Sequence, residues 1–124
     1  MLTTGVDLIE IARVERVLAR YGDHFLERVF TSAEILYCRG RVPELAARFA
    51  AKEAVAKALG VGVRMIARDG INWQDVEVIG DVRGKPFIRF HGRGAERAGE
   101  LGLTEWAVSL SHTREHAIAF VVAQ

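Results

Sequence analysis

Cysteine is almost absent from this chain, and the single thiol, Cys38, excludes an internal disulfide. That fits a reducing compartment. No neighbour in sequence would make Cys38 a nucleophile, so it reads as structural. No run approaches the eighteen or so apolar residues of a membrane helix, and the N-terminus lacks a basic segment followed by an apolar signal core. The expected location is therefore the cytoplasm, with no membrane partner. Net charge is nearly absent too: 17 Lys+Arg against 16 Asp+Glu gives a formal +1, no overall reason to invoke nucleic acid. Lysine is scarce, because 14 of those 17 basic residues are arginine, the cation suited to bidentate contact with carboxylate and phosphate.

What is present suffices for a core. Half of the 124 residues are hydrophobic and about a quarter charged, and a chain of this length is expected to form one domain, residues 1–124, that buries roughly two-thirds of its unfolded surface. Met1 to Glu10, with Leu2, Val6, Leu8 and Ile9, reads as a buried strand running into a helix. Val14, Val17, Leu18 and Tyr21 take amphipathic spacing over Ile11 to Tyr21, and Gly22 is a fitting stop. Phe25 to Phe30 suggests a helical turn. Thr31 and Glu34 match a capping box for a short helix through Ile35, Leu36 and Tyr37, broken at Gly40. Pro43 can open a long helix that runs to Leu59 and ends at Gly60.

The second half is β-rich. Trp73 to Ile79 and Phe87 to Phe90 form a hairpin around the turn from Gly80 to Pro86. His91 to Leu101 suits a short helix weakened by three glycines. Trp106 to Ser111 and Ala117 to Ala123 are two further strands joined by His112 to Glu115. There is no internal repeat or linker. The fold class is α+β: an early strand, a helical middle and an antiparallel sheet.

The most informative stretch is Arg48-Phe49-Ala50-Ala51-Lys52-Glu53-Ala54-Val55-Ala56-Lys57. Glu53 and Lys57 share a helical face, with Phe49 one turn earlier on it. In isolation this is an ordinary surface ion pair. Asp7 is the second unusual residue, an acid following Gly5-Val6 on an apolar strand. It is either a cap for the helix after it or a charge that needs a cation. Brought together by folding, Asp7 and Glu53 would suit Mg²⁺, which takes one or two protein carboxylates and fills its octahedron with water and substrate phosphate.

Other features weigh less. Gly84-Lys85-Pro86 is a turn tip with a projecting cation. Ser109-Leu110-Ser111-His112 raises a Ser/His nucleophile pair, but no G-x-S-x-G elbow surrounds it. His24, His91 and His116 lack metal-ligand spacing and read as structural or surface residues. Arg13, Arg16 and Arg20 form a basic stripe, either a solvated face or a dock for an acidic partner helix.

Taken together, Gly5-Val6-Asp7, the Phe49 to Lys57 motif, Gly84-Lys85-Pro86 and Ser109 to His112 make the chain resemble the short bacterial class of 4′-phosphopantetheinyl transferases, the holo-[acyl-carrier-protein] synthases. The resemblance covers nearly the whole chain, and the two motifs G-[VIT]-D and [FW]-x-x-K-E-[AS]-x-x-K are specific in combination. It implies transfer of the 4′-phosphopantetheine arm of coenzyme A to a serine of apo acyl carrier protein, with release of adenosine 3′,5′-bisphosphate, for fatty acid biosynthesis. It further implies Asp7 and Glu53 as Mg²⁺ ligands, Lys57 on coenzyme A phosphates, and Arg48, Lys85, Pro86 and His112 as further coenzyme A contacts. Arg13 would meet the carrier's acidic helix first, with Arg16 and Arg20 behind it. Glu53, directly or through a metal-bound water, would take the serine proton. Larger relatives look like two such units fused, so a single unit is expected to build its cleft between subunits of a homotrimer. Two rivals are another Mg²⁺-dependent phosphoryl enzyme, which lacks a Walker-type loop here, and a non-catalytic module that binds acidic helices.

Overall fold

A computed structural model describes residues 1–62 and 70–124. Strand β1 (Thr3–Glu10) leads directly into α1 (Ile11–Tyr21), followed by α2 (Asp23–Val29), α3 (Ser32–Cys38) and the long α4 (Val42–Ala58). After a 3₁₀ turn at Trp73–Asp75 come β2 (Val76–Gly80), β3 (Pro86–Phe90), α5 (Gly92–Glu100), β4 (Trp106–His112) and β5 (His116–Ala123). The expected boundaries hold to within a residue or two for α1, α4, α5, β4 and β5. The strand expected from Trp73 is shorter, because Asn72 and Asp75 close a capping box that coils the first three residues into the 3₁₀ turn.

The strands form two antiparallel sheets, a three-stranded one in the order β1-β5-β4 and the β2-β3 hairpin. Alternation along β5 turns Ala117, Ala119, Val121 and Ala123 inward, all of them buried, and Ile118 and Phe120 outward. Helix α4 lies across the inner face of this sheet and packs on β1, β5 and β4. Its alanines at 46, 47, 50, 51, 54, 56 and 58 are all buried, so the helix is enclosed on several sides rather than amphipathic. Small side chains on α4 and β5 allow that close layer. Gly5 shows how close: a Cβ there would stand 1.9 Å from the carbonyl oxygen of Ala54. Only glycine lets β1 pass under α4 at this point.

Lys52 faces the opposite way from Glu53 and is buried. Its Nζ donates to Oε1 of Glu34 at 2.8 Å and to the backbone carbonyls of Trp73 and Val76. Glu34 also accepts from the amides of Thr31 and Val78, each at 2.9 Å. The capping box predicted for α3 is thus present, and its glutamate doubles as the partner of a buried lysine. Burial lowers the Lys52 pKa while Glu34 opposes that shift. This lysine ties α3, α4 and β2 together.

Candidate active site

Asp7 lies within β1, opposite Ala119 of β5. It does not cap α1, which starts at Ile11 after Glu10 with no side-chain cap bond. The capping alternative is therefore excluded by strand length. Alternation points Asp7 toward α4, on the same face as Gly5, and the contact at Gly5 draws the last turns of α4 alongside it. Lys57 Nζ donates to Oδ1 of Asp7 at 3.0 Å and to the carbonyl of Val6 at 2.9 Å. The surface ion pair read from spacing alone is replaced. Lys57 pairs across to β1, and among the described residues no ion pair joins it to Glu53.

Glu53, one turn before Lys57, is half-buried. Its pKa is raised by burial first and by the charge of Asp7 second, while Lys57 and Arg13 pull it down. Those influences place two carboxylates and two cations in one electrostatic neighbourhood. Asp7, Glu53 and Lys57 were singled out from sequence and are brought together. Arg13 of α1 joins them. Arg16 and Arg20 stay on the exposed outer face of α1, where Arg20 stacks over Tyr21 with its Cζ 5.4 Å from the ring centroid.

Two mutually repelling carboxylates suit a divalent cation. Among the described residues no group of three or more His, Cys, Asp or Glu converges anywhere. A cation held by Asp7 and Glu53 would take the rest of its coordination from water and from a ligand, the habit of Mg²⁺ rather than Zn²⁺. The donor set fits that ion.

The other predicted contacts lie apart from this centre. Arg48 is buried, with Nη1 3.2 Å from Oε2 of Glu44 and its guanidinium 4.4 Å from the centroid of the Tyr37 ring. Among the described residues its Nε has no hydrogen-bond partner. His112 Nε2 stands 4.0 Å from Oε1 of the same Glu44, so one acid bridges two of the predicted residues. Lys85 is exposed at the tip between β2 and β3, where its amide donates to Oδ1 of Asp81 at 3.0 Å. Pro86 pairs with Gly80. Among the described residues Lys85 and His112 make no hydrogen bond or ion pair with Asp7, Glu53 or Lys57.

Gly80 also borders a cavity of about 590 Å³ with Leu36, Tyr37, Arg39, Arg41 and Ile79. Arg41 is pinned there, donating to the carbonyls of Cys38 and Tyr37 at 2.9 and 2.7 Å. Sequence reading passed over Arg39 and Arg41. They flank Gly40, and in sequence the R-G-R run signals only the end of α3. Cys38 itself is buried and its thiol is pushed up to about 11 by that burial, which suits a structural residue. The Ser/His nucleophile fails on geometry: Ser109 and Ser111 point to the outer face of the sheet, and alternation sends His112 to the other.

Residues 3–121 match the family model of the 4′-phosphopantetheinyl transferase superfamily. The holo-[acyl-carrier-protein] synthase of Herpetosiphon aurantiacus is 53% identical over 124 residues, covering 98% of each chain. That of Dehalococcoides mccartyi (strain CBDB1) is 45% identical across 100% of this chain and 99% of its own. Among solved structures, the Helicobacter pylori holo-[acyl-carrier-protein] synthase in complex with coenzyme A superimposes with a TM-score of 0.86 at 30% identity, covering 98% of this chain and 99% of that one. These matches are to a class of group-transferring enzymes. The chain belongs to the 4′-phosphopantetheinyl transferase superfamily and, within it, to the holo-[acyl-carrier-protein] synthases.

Proposed function

We propose that this enzyme transfers the 4′-phosphopantetheine group of coenzyme A to a serine hydroxyl of apo acyl carrier protein, releasing adenosine 3′,5′-bisphosphate. The reaction depends on Mg²⁺ and serves fatty acid biosynthesis in the cytoplasm. The observation that carries this reading is the convergence of Asp7 and Glu53, from elements far apart in sequence, with Lys57 and Arg13 around them. Asp7 and Glu53 would hold the metal. When bound, Mg²⁺ supplies positive charge against the pyrophosphate as its bond to the leaving group breaks.

The chain's own residues supply position and charge. Lys57, on a flexible and exposed stem, binds a phosphate oxygen of the donor. The cavity beside Arg39 and Arg41 is sized for a nucleotide and basic enough for its phosphate. Glu53 takes the serine proton, directly or through a water. The nucleophile is the partner's serine, consistent with serines of β4 that face away from the centre. Arg13 meets the carrier's acidic helix where α1 borders Glu53.

The outer face of the three-stranded sheet supports assembly. Val6 and Phe120 are cross-strand neighbours, as are Leu8 and Ile118, and all four are exposed. An apolar sheet face of this kind is normally covered. We read it as the contact that joins three chains, with Lys85, Pro86 and His112 completing a neighbour's site. Light scattering should give three chains per particle; a monomer would overturn this.

The deciding experiment incubates the protein with coenzyme A, Mg²⁺ and apo carrier protein, and follows the carrier's mass. A gain of one phosphopantetheine supports the transfer, while nucleotide turnover without it supports the hydrolase rival. Glu53→Ala should lower the transfer rate at least about a hundredfold, the scale of losing one electrostatic element of a site. It should leave carrier binding nearly intact. Transfer that survives the change sinks the role given to Glu53.

A further inference from the structure

Lys57 stands where a metal ligand's partner would stand. Its ammonium lies 3.0 Å from Oδ1 of Asp7, whereas a Mg²⁺ ion binds a carboxylate oxygen at about 2.0–2.1 Å. Two cations cannot share that oxygen closely without strong repulsion. The second bond of Lys57, to the carbonyl of Val6 at 2.9 Å, turns the ammonium toward β1. Glu53 lies one turn before Lys57 on α4 and feels the charges of Asp7, Lys57 and Arg13. The lysine stem is 55% exposed, so it is free to swing, while the Asp7 side chain is 19% exposed and stays on its strand.

We propose that Lys57 is a resident counter-ion of the metal site, holding Asp7 in the metal-free enzyme and leaving it when donor phosphate oxygens offer a better partner. The proposal rests on the metal reading of Asp7 and Glu53 given above. It deepens that reading by making metal and phosphate bind as a pair. A phosphate that takes Lys57 away uncovers Asp7 for the metal. By reciprocity, a metal that displaces Lys57 frees it for phosphate. An ion pair this exposed is weak enough to exchange. The device therefore keeps Asp7 from standing unpaired beside Glu53 and also disfavours a metal bound without substrate.

The test is Mn²⁺ binding, read by electron paramagnetic resonance without and with coenzyme A, on the wild-type protein and on Lys57→Met, Lys57→Arg and Asp7→Asn. Coenzyme A should tighten Mn²⁺ binding to the wild type about tenfold, within the usual range of coupling between sites. Lys57→Met should bind Mn²⁺ alone about tenfold more tightly than the wild type and gain less from coenzyme A than the wild type does, since only the coupling through phosphate ligation is left. Lys57→Arg, which keeps the cation, should behave as the wild type. If Asp7→Asn loses Mn²⁺ but Lys57→Met gains nothing, the counter-ion role is overturned and the metal reading stands. If Asp7→Asn binds Mn²⁺ as well as the wild type, the metal reading itself is overturned, and the counter-ion role with it.

Discussion

Lys52 and Lys57 stand five residues apart on α4, each with its ammonium about one hydrogen bond from a carboxylate, and they serve opposite ends. Lys52 and Glu34 meet at 2.8 Å with side chains 1% and 0% exposed. Lys57 and Asp7 meet at 3.0 Å with the lysine side chain more than half exposed. The difference follows from which side of α4 each occupies. On the inner side, Lys52 is surrounded by the carbonyls of Trp73 and Val76, and every proton it carries has an acceptor. On the outer side, Lys57 keeps water as an alternative partner. A buried pair resists change because neither charge has anywhere else to go. An exposed one is exchangeable, which is what a substrate-binding group requires.

The largest effect that would expose this contrast is at Lys52. Lys52→Met leaves Glu34 buried and uncompensated and should cost about 3–5 kcal/mol in urea denaturation. Adding Glu34→Gln should recover part of that loss, because an amide leaves no buried charge. Next comes Gly5→Ala. Its Cβ would press on the Ala54 carbonyl, and the strain should cost about 3 kcal/mol, the upper end for overpacking. Because the same contact sets Asp7 beside α4, transfer should also fall at temperatures where the variant remains folded.

Arg13→Glu acts on the outer side alone. It should weaken carrier binding about tenfold, measured by titration calorimetry, through loss of charge complementarity. Coenzyme A binding should change far less, and equal losses of both would sink the docking role. The smallest effect is the matching change at the outer lysine. Lys57→Met should alter stability by less than about 1 kcal/mol, the range for exposed pairs. A cost near that of Lys52→Met would erase the distinction between the two pairs.

Much of the fold was legible because each element carries its own local signal. The capping box at Thr31 and Glu34, the glycine stops at Gly22 and Gly60 and the turn before Pro86 all reflect short-range backbone chemistry. The 3₁₀ turn at Trp73 is not legible in sequence, since the Asn72–Asp75 capping box competes with a β-rich composition. In the site, Asp7 and Glu53 stood out as acids in apolar surroundings. Arg39 and Arg41 did not, because surface arginines near a glycine break have no pattern of their own. Glu44 gave no sign that it bridges Arg48 and His112, since that link joins α4 to a strand near the far end of the chain.

The residue types alone determined the chemistry on offer: two carboxylates, a lysine one turn beyond the second and an arginine stripe. They also determined that α4 could be packed tightly, through its alanines. The tertiary structure decided which charges face each other. Spacing on a helix brings Glu53 near Lys57 but says nothing about β1, and only the backbone contact at Gly5 brings Asp7 within reach of Lys57. It decided as well that Lys52 belongs to the interior and Lys57 to the site. Burial depends on everything packed around a residue, and a five-residue step along a helix is enough to cross from one environment to the other.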